Sequence, residues 1–125
     1  MHCAVSESSR ILGKKWSIPI IEELAVKNTG SFNKLLTNVG AITSTTLSRH
    51  LHELEAAGII RKISHSREKT VSTSYAITRK GMELHRLLIE IKKWNIKWNG
   101  TPNFCVHTPC SDCSYYRNAQ TNRVR

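Results

Sequence analysis

No apolar run in this 125-residue sequence is long enough to span a bilayer. The opening residues, Met1-His2-Cys3-Ala4-Val5-Ser6-Glu7, turn polar before an apolar stretch develops, so no secretory leader is expected. Both absences point to a cytoplasmic protein with no membrane partner. Catalytic signatures are missing as well: no carboxylate pair, nucleophile with its base, or phosphate-binding glycine loop stands out, and an enzyme is not expected. Acidic residues are scarce, 9 against 19 lysines and arginines, which leaves a net charge of +10 per chain and twice that in a dimer. Such an excess keeps a protein soluble, and it also favours a polyanionic partner. The length fits one domain with extensions rather than two separate cores.

Glycine and proline are few, 6 and 3, and several of them punctuate the chain. Helical periodicity is expected from about Cys3 to Leu12 and again from about Trp16 to Val26, with Pro19 tolerated in the first turn of the second helix. Lys27-Asn28-Thr29-Gly30 closes that helix. A brief helix follows over Ser31 to Val39, with Phe32, Leu35, Leu36 and Val39 on one face. Gly40-Ala41-Ile42 turns the chain, Thr43 caps a helix to about Ala57, and Gly58 ends it. Two short helices joined by a glycine-containing turn match a helix-turn-helix. Ile59 to His65 and Val71 to Ile77 read as strands around a polar tip, which makes a wing. Thr78 caps a last, long helix. The fold class is therefore mainly α with a small β-hairpin, a winged helix-turn-helix.

On the helix after Thr43, Leu47, Leu51, Leu54 and Ala57 share one side with Thr46. Ser44, Thr45, Ser48, Arg49 and His52 share the other. A solvated helix face is normally rich in Glu and Lys, whereas this one offers short hydroxyls, an arginine and a histidine in its first two turns. Short side chains let the backbone approach base edges, and arginine can clasp guanine, so Thr43, Ser44, Thr45, Ser48, Arg49 and His52 are the expected base-reading set. Lys34, Arg61, Lys62, His65, Arg67 and Lys69 are candidate phosphate contacts, which hold register and add salt-dependent affinity. The expected partner is double-stranded DNA. Along the last helix, Leu84, Leu87, Leu88, Ile91, Trp94 and Trp98 form a stripe that either covers the subunit's own core or makes a homodimer seam, and the seam is the preferred reading.

These residues together resemble the HxlR family of winged-helix regulators, relatives of the MarR type. The matching pieces are Cys3, Gly13-Lys14-Lys15-Trp16 before an apolar helix ending Glu23-Leu24, Ser31-Phe32-Asn33-Lys34-Leu35, and Ile42-Thr43 with Leu47-Ser48 and Leu51. They continue with Leu54-Glu55, Gly58-Ile59-Ile60-Arg61, Tyr75-Ala76-Ile77-Thr78, Lys80-Gly81 and Leu84. The resemblance spans about Cys3 to Trp98. It implies a DNA-binding homodimer whose first and last helices form the interface, with the helix after Ile42 in the major groove and the wing on the backbone or minor groove. It also makes Cys3 a candidate redox-sensing thiol. Two departures stand out: Lys14 replaces the second glycine of the usual Gly-Gly-Lys-Trp, and the wing lacks proline.

Residues 3–98 are thus read as the DNA-binding and dimerisation domain and 99–125 as a cysteine-containing tail. In that tail Cys105, His107, Cys110 and Cys113 form a dense set of soft ligands in a segment poor in core residues, which reads as a zinc site. An iron-sulfur cluster is the alternative, and free or disulfide-linked thiols are the remaining case. The function expected is sequence-specific transcription regulation with a redox or metal response. The alternative is a winged-helix module that docks on protein or chromatin through a structural metal tail.

Overall fold

The computed structural model describes residues 3–28, 30–67 and 70–113. Five α-helices and one hairpin run in the order α1 (Ala4–Leu12), α2 (Ser17–Val26), α3 (Phe32–Val39), α4 (Ser44–Ala56), β1 (Ile60–Arg67), β2 (Thr70–Ile77) and α5 (Arg79–Asn99). Two short 3-10 turns follow, Asn103–Val106 and Cys110–Asp112. Each expected helix and strand is present, with ends moved by a residue or two as capping geometry dictates.

Helix α4 shows why the boundaries fall where they do. Thr43 takes an extended conformation and its Oγ1 accepts from the Thr46 backbone N–H at 3.2 Å, satisfying one of the first-turn donors. At the other end Gly58 adopts φ +76°, a left-handed conformation that a side chain would strain. There the Gly58 N–H donates to the Glu55 carbonyl at 2.9 Å and the Ile59 N–H to the Leu54 carbonyl at 3.0 Å, which satisfies two terminal carbonyls and turns the chain into β1.

The core gathers Ile20, Ile21 and Leu24 of α2, Leu35 and Val39 of α3, Ile42, and Leu47, Leu51 and Leu54 of α4. Ile59, Ile60 and Leu88 complete it. The strands pair antiparallel from Ile60↔Ile77 to Arg67↔Thr70. The returning strand is also tied to the segment leading into α3: Tyr75 N–H donates to the Gly30 carbonyl at 2.8 Å, and Ser31 bridges Ser74. At the start of α5, a Cβ on Gly81 would fall inside contact distance of the Ile59 carbonyl oxygen and only 2.6 Å from Ile77 Cγ1. Glycine there is what lets α5 sit directly on the root of the hairpin.

The tail packs back on the helices. Its described part, to Cys113, takes its order from ion pairs and backbone bonds to α2 and α5 as well as from its own turns. Among the described residues no helix is long and apolar enough to cross a membrane.

Candidate nucleic-acid interface

Helix α4 separates its two faces as its sequence requires. Leu47, His50, Leu51 and Leu54 are buried, while Ser44, Thr45, Ser48, Arg49 and His52 are exposed. Those five exposed side chains and Phe32 line one shallow concave surface. Thr43 stands at its edge, where its hydroxyl donates to Thr46 Oγ1 at 2.8 Å while capping the helix. Among the described residues Arg49 forms no salt bridge, which leaves its guanidinium available for an external acceptor.

The flanking cations are distributed over α3 and β1. Lys34 is exposed on α3, and Arg61, Lys62 and His65 are exposed on β1. His65 Nε2 lies 3.4 Å from the Ser74 hydroxyl across the hairpin. The backbone of Arg67 belongs to β1, whereas Lys69 lies outside the described residues. Helix α4 packs against β1, and α3 against β2.

Behind the exposed face lies a polar layer that periodicity alone did not flag. Lys14 forms an ion pair with Glu53 of α4, which holds the Glu53 carboxyl below its ordinary range, chiefly through that hydrogen bond. Lys14 therefore anchors the α1–α2 turn to α4. His50 is 7% exposed, and its Nδ1 has no hydrogen-bond partner among the described residues. Burial lowers its pKa first of all, Glu53 opposes that shift, and Arg49 and Lys14 add to it. On α2 two adjacent carboxylates are buried: Glu22 at 1% exposure and Glu23 at 0%. Glu23 accepts from Asn38 Nδ2 of α3 at 3.2 Å and pairs with Lys27 at 3.1 Å. The signal available in the sequence was an acidic doublet inside an otherwise apolar helix, Ser-Ile-Pro-Ile-Ile-Glu-Glu-Leu-Ala-Val.

The family model for the HxlR-like helix-turn-helix matches residues 11–102. The chain belongs to the HxlR-like helix-turn-helix family. It is 33% identical over 87 residues to an uncharacterized HTH-type transcriptional regulator of Halalkalibacterium halodurans, BH0655, covering 70% of this chain and 76% of that protein. It is 30% identical over 92 residues to the Bacillus subtilis HTH-type transcriptional regulator YdzF, covering 72% and 82%. Among solved structures, the reduced form of the transcriptional regulator YodB from B. subtilis superposes with a TM-score of 0.67 at 27% identity, over 78% of this chain and 95% of that one. The redox regulator HypR in its oxidized form shares the fold, with a TM-score of 0.65 at 24% identity over 76% and 96%. As a member of its family the HxlR-like chain is an HTH-type transcriptional regulator, a DNA-binding and non-enzymatic class.

The remaining candidate residues divide. Of the stripe on α5, Leu88 is 3% exposed and belongs to the core, and Leu84 packs against that core. Leu87, Ile91, Trp94 and Trp98 stay uncovered at 58%, 47%, 59% and 66% exposure. The helical angle explains the split, since positions 84 and 88 share a turn-to-turn line while 87, 91, 94 and 98 follow a neighbouring one. Cys3 is exposed at the N-cap of α1. In the tail, His107 is exposed while Cys105, Cys110 and Cys113 are half-buried. Among the described residues no group of three or more His, Cys, Asp or Glu side chains stands in metal-holding geometry, so the expected ligand set is not brought together. Burial pushes the Cys105 thiol up, and burial followed by the Glu22 carboxylate pushes the Cys110 thiol up much further.

Proposed function

We propose that the protein is a homodimer that reads a specific double-stranded DNA sequence with Ser44, Thr45, Ser48, Arg49 and His52 of α4. Lys34 and the wing residues Arg61, Lys62 and His65 rest on the phosphate backbone. The observation that carries this reading is the shared, exposed surface of those five α4 side chains, opposite the buried leucines that fix the helix in place. Leu87, Ile91, Trp94 and Trp98 supply the apolar seam for the second copy. Regulation through oxidation of the exposed Cys3 belongs to the same proposal, and YodB, a relative in fold described in reduced and diamide-treated forms, supports it.

A random-library binding selection gives the operator, and two variants then test the assignment. Arg49→Ala is expected to lose about 1–3 kcal/mol on the selected site and to relax base preference there. Lys62→Ala is expected to weaken all sequences alike and to lower the salt slope by roughly one phosphate contact. Equal losses on selected and random DNA for Arg49→Ala would remove the base-reading role.

A further inference from the structure

The family match ends at residue 102, so the three cysteines of the tail lie beyond it. The turn Cys110–Asp112 is nevertheless held on α2. Cys110 N–H donates to Glu22 Oε2 at 3.3 Å. The Lys92 ammonium joins that same oxygen, at 2.9 Å, to the Thr108 carbonyl, at 3.2 Å. Asp112 Oδ1 accepts from Lys27 Nζ at 2.8 Å. The turn itself is closed by the Cys113 N–H, which donates to the Cys110 carbonyl at 3.1 Å.

A hydrogen-bonded turn of this kind keeps its end Cα atoms within about 7 Å, and disulfides bridge Cα separations of roughly 4.4–6.8 Å. Both thiols are free and half-buried. We propose that Cys110 and Cys113 form a dithiol oxidation site, closed by a hydroperoxide into a disulfide within one chain and separate from Cys3. The thiolate of Cys113 attacks the peroxide: an S–O bond forms, the O–O bond breaks, and the leaving oxygen takes a proton and departs as water. The Cys110 sulfur then attacks the oxidised Cys113 sulfur, forming S–S and breaking S–O, and its proton leaves in a second water. Two thiols and one hydrogen peroxide thus become one disulfide and two waters. The order follows from placement, because Cys110 stands against the buried Glu22 carboxylate while Cys113 closes the outer end of the turn.

Asp112 lies inside the ring that this disulfide closes. Its partner Lys27 also bonds Glu23, which holds Asn38 of α3, so the ring abuts a chain of contacts that reaches the first helix of the helix-turn-helix. The test uses the full chain carrying Cys3→Ser, treated with one equivalent of hydrogen peroxide. Free thiols are blocked with iodoacetamide, the protein is reduced, and newly freed thiols are labelled with N-ethylmaleimide before fragment-ion mapping. The expected result is the second label on Cys110 and Cys113, the first label on Cys105, and an unchanged single-chain band on a non-reducing gel. Cys113→Ser is expected to abolish second labelling at Cys110. A disulfide that includes Cys105, linkage only between chains, or thiols that all remain free would overturn the proposal. So would stoichiometric zinc that blocks alkylation until a chelator removes it. None of these outcomes depends on whether α4 reads DNA.

Discussion

His50 shows how one buried side chain ties the folded state of the regulator to pH. It and His85 are both held below the ordinary imidazole value of 6.5, in each case by burial first. Facing His50 are Glu53, Arg49 and Lys14, and facing His85 are Glu22 and Lys92. In the unfolded chain both rings titrate near pH 6.5, at about their free value. As pH falls below that point the unfolded chain takes up protons that the folded chain refuses, so stability is full above it and declines towards the lower folded values. Thermal melts between pH 7.5 and 5 are expected to show a falling Tm, with a shallower fall in His50→Leu. An identical pH slope in that variant would contradict the assignment. The buried pair of Glu22 and Lys92, with side chains 2% and 11% exposed, belongs to the same scale. Removing one partner of such a pair leaves a charge stranded, which makes it a constraint on the sequence even where it adds little net stability.

Among the elements, α5 depends most visibly on a single residue at its start. The Thr78 hydroxyl accepts from the Gly81 N–H at 3.1 Å, and it lies within donating distance of the Gly58 and Ile59 carbonyls, at 2.6 and 2.9 Å. Thr78→Ala is therefore expected to lower stability by about 1–2 kcal/mol in denaturant unfolding, near the upper range for lost caps because the hydroxyl also joins α5 to the end of α4. A loss below a few tenths would show that the bridge to Gly58 and Ile59 contributes nothing. The elements as a set were legible from sequence because their signals are local. Thr43, Gly58 and Thr78 punctuate the chain through their own backbone chemistry, and the leucine spacing of α4 alone separates its wet face from its dry one. The buried polar layer was less legible. Whether Glu22, Glu23 or Glu53 finds Lys92, Asn38 or Lys14 depends on how helices cross, which periodicity does not encode. The α5 stripe was half-read for the same reason: a single apolar line predicts a contact, but not that Leu88 packs inward while Leu87 and Ile91 face outward.

At the level of the whole molecule, charge and uncovered apolar surface set the associations. The net charge of +10 makes non-specific attraction to DNA strong at low salt, so specificity has to be judged as a ratio between sites at fixed ionic strength. The four exposed residues of α5 are large, and two are tryptophans, a composition enriched at the centres of protein interfaces. Sedimentation of the wild-type chain is expected to give a dimer, and the double substitution Ile91→Glu with Trp94→Glu is expected to give a folded monomer with weakened operator binding. A double variant that remains dimeric would place the seam elsewhere. The hairpin adds a mechanical consequence. With Tyr75 fastened to Gly30 and Thr78 N–H to the Ile59 carbonyl, it is a cantilever whose fulcrum lies within the scaffold. Under the proposed function, substitutions towards the Arg67–Thr70 end of the hairpin would retune its grip on the duplex, while the aim of the reading helix stays fixed.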